Sequence, residues 1–154
     1  MNHGKQILIG LGNPILGDDG VGWKAAEAIA LLHVTGLEID CLAGGGLSLM
    51  ERLVGYDSAI IIDALSTNQV PKGSVSVFAL EDLKNPFSGH LGSAHETNLR
   101  TALELGRQLG AHLPRQVMIV GIETPDVYDF NDKLSTELAA AVPLAVQAAL
   151  DLIH

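Results

Sequence analysis

The apolar run Gln6-Ile7-Leu8-Ile9 passes directly into Gly10-Leu11-Gly12-Asn13-Pro14-Ile15-Leu16-Gly17-Asp18-Asp19-Gly20-Val21-Gly22, and an amphipathic run begins near Val21. That order predicts a strand, a glycine-rich turn and a helix, the opening of an α/β unit. Five glycines in so short a segment allow the backbone a positive φ or a close approach to something else. Two adjacent aspartates stand where the helix should start. One of them is explained as a helix cap that satisfies an orphan N–H, and Asp18 is assigned to that role. Asp19 is left without so ready an explanation.

The remaining chain repeats the alternation. Val21, Ala25, Ile29 and Leu32 recur at helical spacing, with Ala28 on the same face, so a core-facing helix is expected to run to about His33. Leu37 to Leu42 reads as a second strand, and Gly44-Gly45-Gly46 precedes a short helix over Leu47 to Leu53. Ala59-Ile60-Ile61-Ile62 is a continuous apolar run of the kind covered on both faces of a sheet, and it stops at Asp63. A strand over Ser74 to Leu80 follows the turn signal Pro71-Lys72-Gly73. Leu99, Ala102, Leu103 and Leu109 then fall at helical spacing, and Gln116 to Ile122 is the last strand. Ser135 is the expected N-cap of a final helix whose apolar face carries Leu138, Val142, Val146, Ala149 and Ile153. Pro143 inside that pattern should kink the helix or mark its true first turn.

Strands alternating with helices predict a three-layer α/β sandwich, a mostly parallel twisted sheet of about five strands with helices on both faces. The chain of 154 residues is expected to be a single domain over residues 1–154. In such sheets ligands bind at the carboxyl ends of the strands. Four unusual segments fall there: Gly10 to Asp19, Gly44 to Gly46, Asp63-Ala64-Leu65-Ser66, and Glu123-Thr124-Pro125.

Charge narrows the partners. Nine Lys and Arg against eighteen Asp and Glu leave a net charge of −9, which argues against nucleic acid and against an anionic membrane surface. Hydrophobic residues make up 47% of the chain, but no apolar run approaches the roughly 20 residues of a spanning helix. The start, Met1 to Lys5, carries no secretory pattern, so a cytoplasmic location is expected. The single cysteine, Cys41, excludes an intramolecular disulfide and any multi-cysteine zinc site, and reads as a small buried hydrophobe rather than a catalytic thiol.

Three chemistries compete for the strand ends. Gly10-x-Gly12 after a strand resembles the start of a dinucleotide fingerprint, but Ile15 stands where the third glycine belongs, and paired aspartates would repel a pyrophosphate. Asp40, at the place of a ribose-binding acid, does not repair those faults. No Gly-Lys-Ser/Thr follows, which excludes a P-loop. A hydrolase nucleophile at Ser48 or Ser66 lacks both the Gly-x-Ser-x-Gly elbow and a sequence cue for a histidine base. A metal site remains: Asp19, Asp63 and His95 offer two carboxylates and an imidazole, which suit a borderline divalent ion such as Ni²⁺ or Zn²⁺. The same residues would also serve a metal held by a partner protein. Their structural readings are a helix cap for Asp19, a turn cap for Asp63 and a surface loop for His95. His90 competes with His95 by proximity and reads as a loop residue.

The opening stretch resembles that of the hydrogenase maturation proteases, the endopeptidases that trim the C-terminal extension of [NiFe]-hydrogenase large subunits. The resemblance rests on Gly10-Leu11-Gly12-Asn13, the apolar pair Ile15-Leu16, and Asp18-Asp19-Gly20-Val21-Gly22. Ile60-Ile61-Ile62-Asp63-Ala64, Ser93-Ala94-His95, Gly121 to Pro125, and Leu134-Ser135 through Pro143 follow in the family's order, so nearly the whole chain is covered. One departure is Ala43, where many relatives carry an Asp ahead of the glycine cluster. The resemblance implies a phosphorylase/hydrolase-like fold and a metal-contacting triad of Asp19, Asp63 and His95. It further implies Ni²⁺ supplied by the substrate precursor, no organic cofactor, and a peptidase that acts on a large-subunit precursor; the acidic balance fits a soluble monomer. The competing expectation is a nickel-binding maturation chaperone on the same fold that cleaves nothing.

Overall fold

The computed structural model describes residues 4–83, 98–125 and 130–153. Among them, five strands form one sheet: β1 (Gln6–Leu11), β2 (Leu37–Leu42), β3 (Ser58–Leu65), β4 (Val75–Ala79) and β5 (Gln116–Glu123), in the order β2-β1-β3-β5-β4. β1, β2, β3 and β5 run parallel, and β4 closes one edge antiparallel to β5. Four α-helices accompany them: α1 (Val21–Ala30), α2 (Gly46–Leu53) and α3 (Leu99–Gln108) between strands, and α4 (Thr136–Leu150) after β5. This is the expected three-layer α/β architecture.

The strand sequences explain the layering. Alternate residues of a strand face opposite sides of the sheet. Ile7, Ile9, Leu11, Ala59, Ile61, Leu65 and Ile119 therefore pack with Leu49 and Leu53 of α2 and Leu99 and Leu103 of α3. Leu8, Ile60, Ile62, Val120 and Ile122 pack on the other side with α1 and α4. The central strands β1 and β3 are buried along their whole length, as continuous apolar runs demand. β4 is the exposed edge, which accounts for its mixed periodicity.

The structure corrects several sequence expectations. α1 stops at Ala30 rather than His33, because His33 takes a left-handed φ of 52°, and Leu32 is exposed instead of facing the core. Leu109, assigned to the apolar face of α3, lies past the helix end and is also exposed. β3 continues through Asp63 to Leu65. Pro143 lies in the interior of α4, well beyond its first turn. The face of α4 against the sheet is built from Leu138, Ala141, Ala145 and Ala149, with Val142 and Val146 only partly buried.

The opening glycines are a packing device. A Cβ on Gly22 would stand 2.4 Å from the Leu11 carbonyl oxygen and 2.5 Å from that of Ile62, so the first turn of α1 straddles the ends of β1 and β3. Gly12 has φ +144°, and a Cβ there would meet the Asp19 carbonyl oxygen. By contrast, nothing approaches Gly44 within 4 Å. Gly22→Ala should therefore cost about 2–3 kcal/mol by overpacking against backbone that has no room to yield, whereas Gly44→Ala should stay within about 0.5 kcal/mol. Urea unfolding of the two variants checks this, and equal stabilities would contradict it.

Candidate functional site

β2 and β3 lie on opposite sides of β1, so the connections that leave β1 and β3 diverge. The crevice at their carboxyl ends is the topological switch point where open α/β sheets bind ligands. Asp19 and Asp63 both stand at this edge. Asp19 lies on the 3₁₀ turn Gly17–Gly20, three residues ahead of the Gly22 contact with Leu11 and Ile62. Asp63 follows Ile62 on β3 and pairs in register with Gly121 of β5.

Both carboxylates are sequestered. Asp19 is 3% exposed, its Oδ2 accepts the Asn13 N–H at 2.9 Å, and its own N–H donates to the Leu16 carbonyl at 3.1 Å. Asp63 is 0% exposed within an otherwise apolar strand. A carboxylate at such a position is a costly choice for packing alone. The third predicted residue, His95, lies outside the described residues, as do His90 and Ser93. Among the described residues, no three His, Cys, Asp or Glu side chains are grouped to hold a metal ion.

Asp18 does not cap α1. The N-cap of α1 is Gly20, which makes no side-chain cap bond. Asp18 instead crosses to the start of α4: its Oδ1 accepts the Ser135 N–H at 2.6 Å, and its Oδ2 accepts the Ser135 hydroxyl at 2.8 Å. Lys72 Nζ lies 3.2 Å from Asp18 Oδ2 and 3.3 Å from Glu137 Oε2. Backbone pairing reinforces the join, because Gly17 donates to the Asn131 carbonyl at 2.7 Å and Asn131 donates to that of Ile15 at 2.9 Å. The turn that bears Asp19 is thus pinned by a segment more than a hundred residues away.

Glu123, at the end of β5, is a second anchor, and the sequence reading placed it at a strand end without giving it a role. Its carboxylate accepts the N–H groups of Thr67 at 2.9 Å and Asn68 at 3.2 Å, and the Thr67 hydroxyl. It therefore fixes the chain leaving β3, immediately beyond Asp63. The signal for it is a charged residue closing a buried strand.

Three alternatives lose their support. Burial, aided by Glu27 and Asp40, pushes the Cys41 thiol up to about 11, so no thiolate forms near neutral pH. The Arg52 guanidinium, 2.8 Å from Asp40, holds that carboxyl below its usual range and occupies the acid that a ribose would need. Ser66 Oγ is buried and has no hydrogen-bond partner among the described residues, so none of these serves it as a base.

Known proteins share this fold. The hydrogenase maturation protease family model matches residues 39–152, and the chain belongs to that family. It is 25% identical to the hydrogenase expression/formation protein HupD of Thiocapsa roseopersicina, across 98% of this chain and 69% of that one. The hydrogenase maturating endopeptidase HybD of Escherichia coli superposes with a TM-score of 0.74 at 24% identity, covering 96% of this chain and 91% of its own. The [NiFe] hydrogenase maturation protease HybD of Thermococcus kodakarensis gives 0.69 at 25% identity, covering 97% and 99%. The chain is a hydrolase of the peptidase class.

The Asp18 clasp yields a pH-dependent prediction. Burial alone would raise the Asp18 pKa, but the two Ser135 bonds and Lys72 outweigh it and hold the carboxyl below its ordinary 3.8. A folded-state pKa below the unfolded value stabilises the fold above pH 3.8, and that contribution is lost as pH falls through the lower folded value. Asp18→Asn should cost about 1–2 kcal/mol at pH 7. The gap from wild type should narrow only below pH 3.8. Urea melts across pH 2.5 to 7 read this out, and a gap that closes at a higher pH would contradict it.

Proposed function

We propose that this peptidase removes the C-terminal extension of a [NiFe]-hydrogenase large-subunit precursor after nickel insertion, and that it recognises the nickel carried by that precursor. The observation that carries the reading is the pair of sequestered carboxylates, Asp19 and Asp63, at the switch point of a hydrogenase maturation protease fold.

Each residue has a defined part. Asp19 offers a carboxylate oriented by the Asn13 N–H and held on a turn pinned by Asp18. Asp63 offers a second carboxylate from a rigid central strand. His95 completes the set with an imidazole. Oxygen and imidazole donors match a borderline divalent ion such as Ni²⁺. Nickel held there would serve as the recognition element that brings the C-terminal segment of the precursor to the site, and a divalent ion beside a scissile bond would supply Lewis-acid polarisation. Water then adds across one peptide bond and a short C-terminal peptide leaves. The proposed working form is a cytoplasmic monomer with no resident organic cofactor.

Intact-mass spectrometry on nickel-loaded and nickel-free precursor tests this. Loss of a C-terminal peptide is expected only from the nickel-loaded form. Asp19→Asn, Asp63→Asn and His95→Ala should each reduce the rate at least about 100-fold while the circular dichroism spectrum stays unchanged. Nickel-dependent binding without loss of mass would point to a maturation chaperone, and full activity in all three variants would place the site elsewhere.

A further inference from the structure

Four residues of α3, Arg100, Leu103, Glu104 and Arg107, recur at helical spacing and so share one stripe of the helix. That stripe faces the end of β4 and the start of β5, and a hollow of about 280 Å³ lies between them. Leu80, Leu103 and Val117, none more than 5% exposed, supply its apolar lining. Arg115, one residue before β5, adds a third guanidinium. Because β4 runs antiparallel to β5, this is the amino edge of the parallel strands. Six positions separate Arg115 from Gly121, the register partner of Asp63, a span of about 20 Å. The hollow is therefore distinct from the crevice that bears Asp19 and Asp63.

Charge at the hollow runs against that of the chain. Three of the four arginines meet there, in a sequence whose net charge is −9. The fourth, Arg52, is paired with Asp40 and Glu38. Among the described residues, no ion pair engages the other three. Arg107 instead donates to the Pro114 carbonyl at 2.8 Å, and Arg100 reaches that of Glu81 at 3.5 Å. These are neutral acceptors, which orient a guanidinium without cancelling its charge. Guanidiniums take phosphate or carboxylate oxygens through paired N–H donors. Glu81 and Glu104 line the same hollow, and an ionised carboxylate only accepts hydrogen bonds. The complementary ligand therefore carries O–H donors beside its anionic group. The volume lies close to the lower bound of about 300 Å³ for small-molecule pockets, which suits a compact metabolite and not a folded partner. We propose that the hollow binds a small hydroxylated anion, a sugar phosphate or a hydroxy acid. Its anionic oxygens meet the guanidiniums, and its hydroxyls donate to the two glutamates. Such a site operates whether or not the distant crevice cleaves a precursor.

Calorimetry on the full chain with ribose 5-phosphate, citrate and inorganic phosphate tests this. One of the hydroxylated probes should saturate a single site and bind about tenfold more tightly than inorganic phosphate. Tighter ribose 5-phosphate assigns a sugar phosphate, and tighter citrate assigns a hydroxy acid. Arg115→Gln changes an exposed side chain, so the melting temperature should stay within about 2 °C of wild type. Its Kd for the tighter probe should rise about tenfold. Glu104→Gln should weaken the hydroxylated probe without weakening inorganic phosphate. Amide NMR shifts on titration should move along α3 and at the start of β5. Saturation by none of the probes overturns the site, and so does a wild-type Kd in Arg115→Gln. Shifts confined to the Asp19 edge also overturn it. Tighter binding of the hydroxylated probe by Glu104→Gln overturns the hydroxyl contacts, and with them the ligand class.

Discussion

The carboxylate of Asp18 is the point where three pieces of chain converge: the turn after β1, Lys72 from the β3–β4 connection, and Ser135 at the start of α4. Its charge is favoured because a hydroxyl, a backbone N–H and an ammonium converge on it, and hydrogen bonds to a charged group are the stronger kind. The join adds to the backbone bonds of the turn and narrows the conformations its glycines allow. With it, Asp19 is delivered to one place beside the end of β3. The paired aspartates thus divide the work. One is spent on position, and the next is the carboxylate proposed to meet the metal.

Close packing makes the delivery accurate. Three backbones meet where α1 crosses β1 and β3, and a side chain on Gly22 would collide with two carbonyl oxygens. Glu123 does for the far side of the crevice what Asp18 does for the near side, because it ties Thr67 and Asn68 and so fixes the chain leaving β3. A site built on two central strands and braced at both exits is preorganised in the sense that binding or catalysis requires.

How much of this was legible in the sequence depends on the range of the interaction. Ile60-Ile61-Ile62 announced a central strand, and the helix–strand alternation announced the layers, because those signals are local and periodic. The strand-end rule also brought Asp19 and Asp63 to the same edge before any coordinates. The partner of Asp18 was not legible, since Ser135 lies 117 positions away and nothing local records the pairing. A capping role was the natural local reading, and it failed because Gly20 takes the N-cap position. The ends of α1 and α3 were misplaced for a similar reason: Leu32 and Leu109 continue the apolar spacing, but a left-handed His33 and the turn after Gln108 end the helices first. His95 lies outside the described residues, so its place in the set rests on the sequence.

The carboxyl edge between β1 and β3 is the proposed point of contact with a metal carried by the substrate. X-ray absorption at the nickel edge reads that contact without waiting for cleavage. Nickel-loaded precursor should gain light oxygen and nitrogen scatterers when mixed with the wild-type chain, and the gain should shrink when the Asp63→Asn variant replaces it. A nickel spectrum that stays the same in a complex shown to have formed would contradict the assignment.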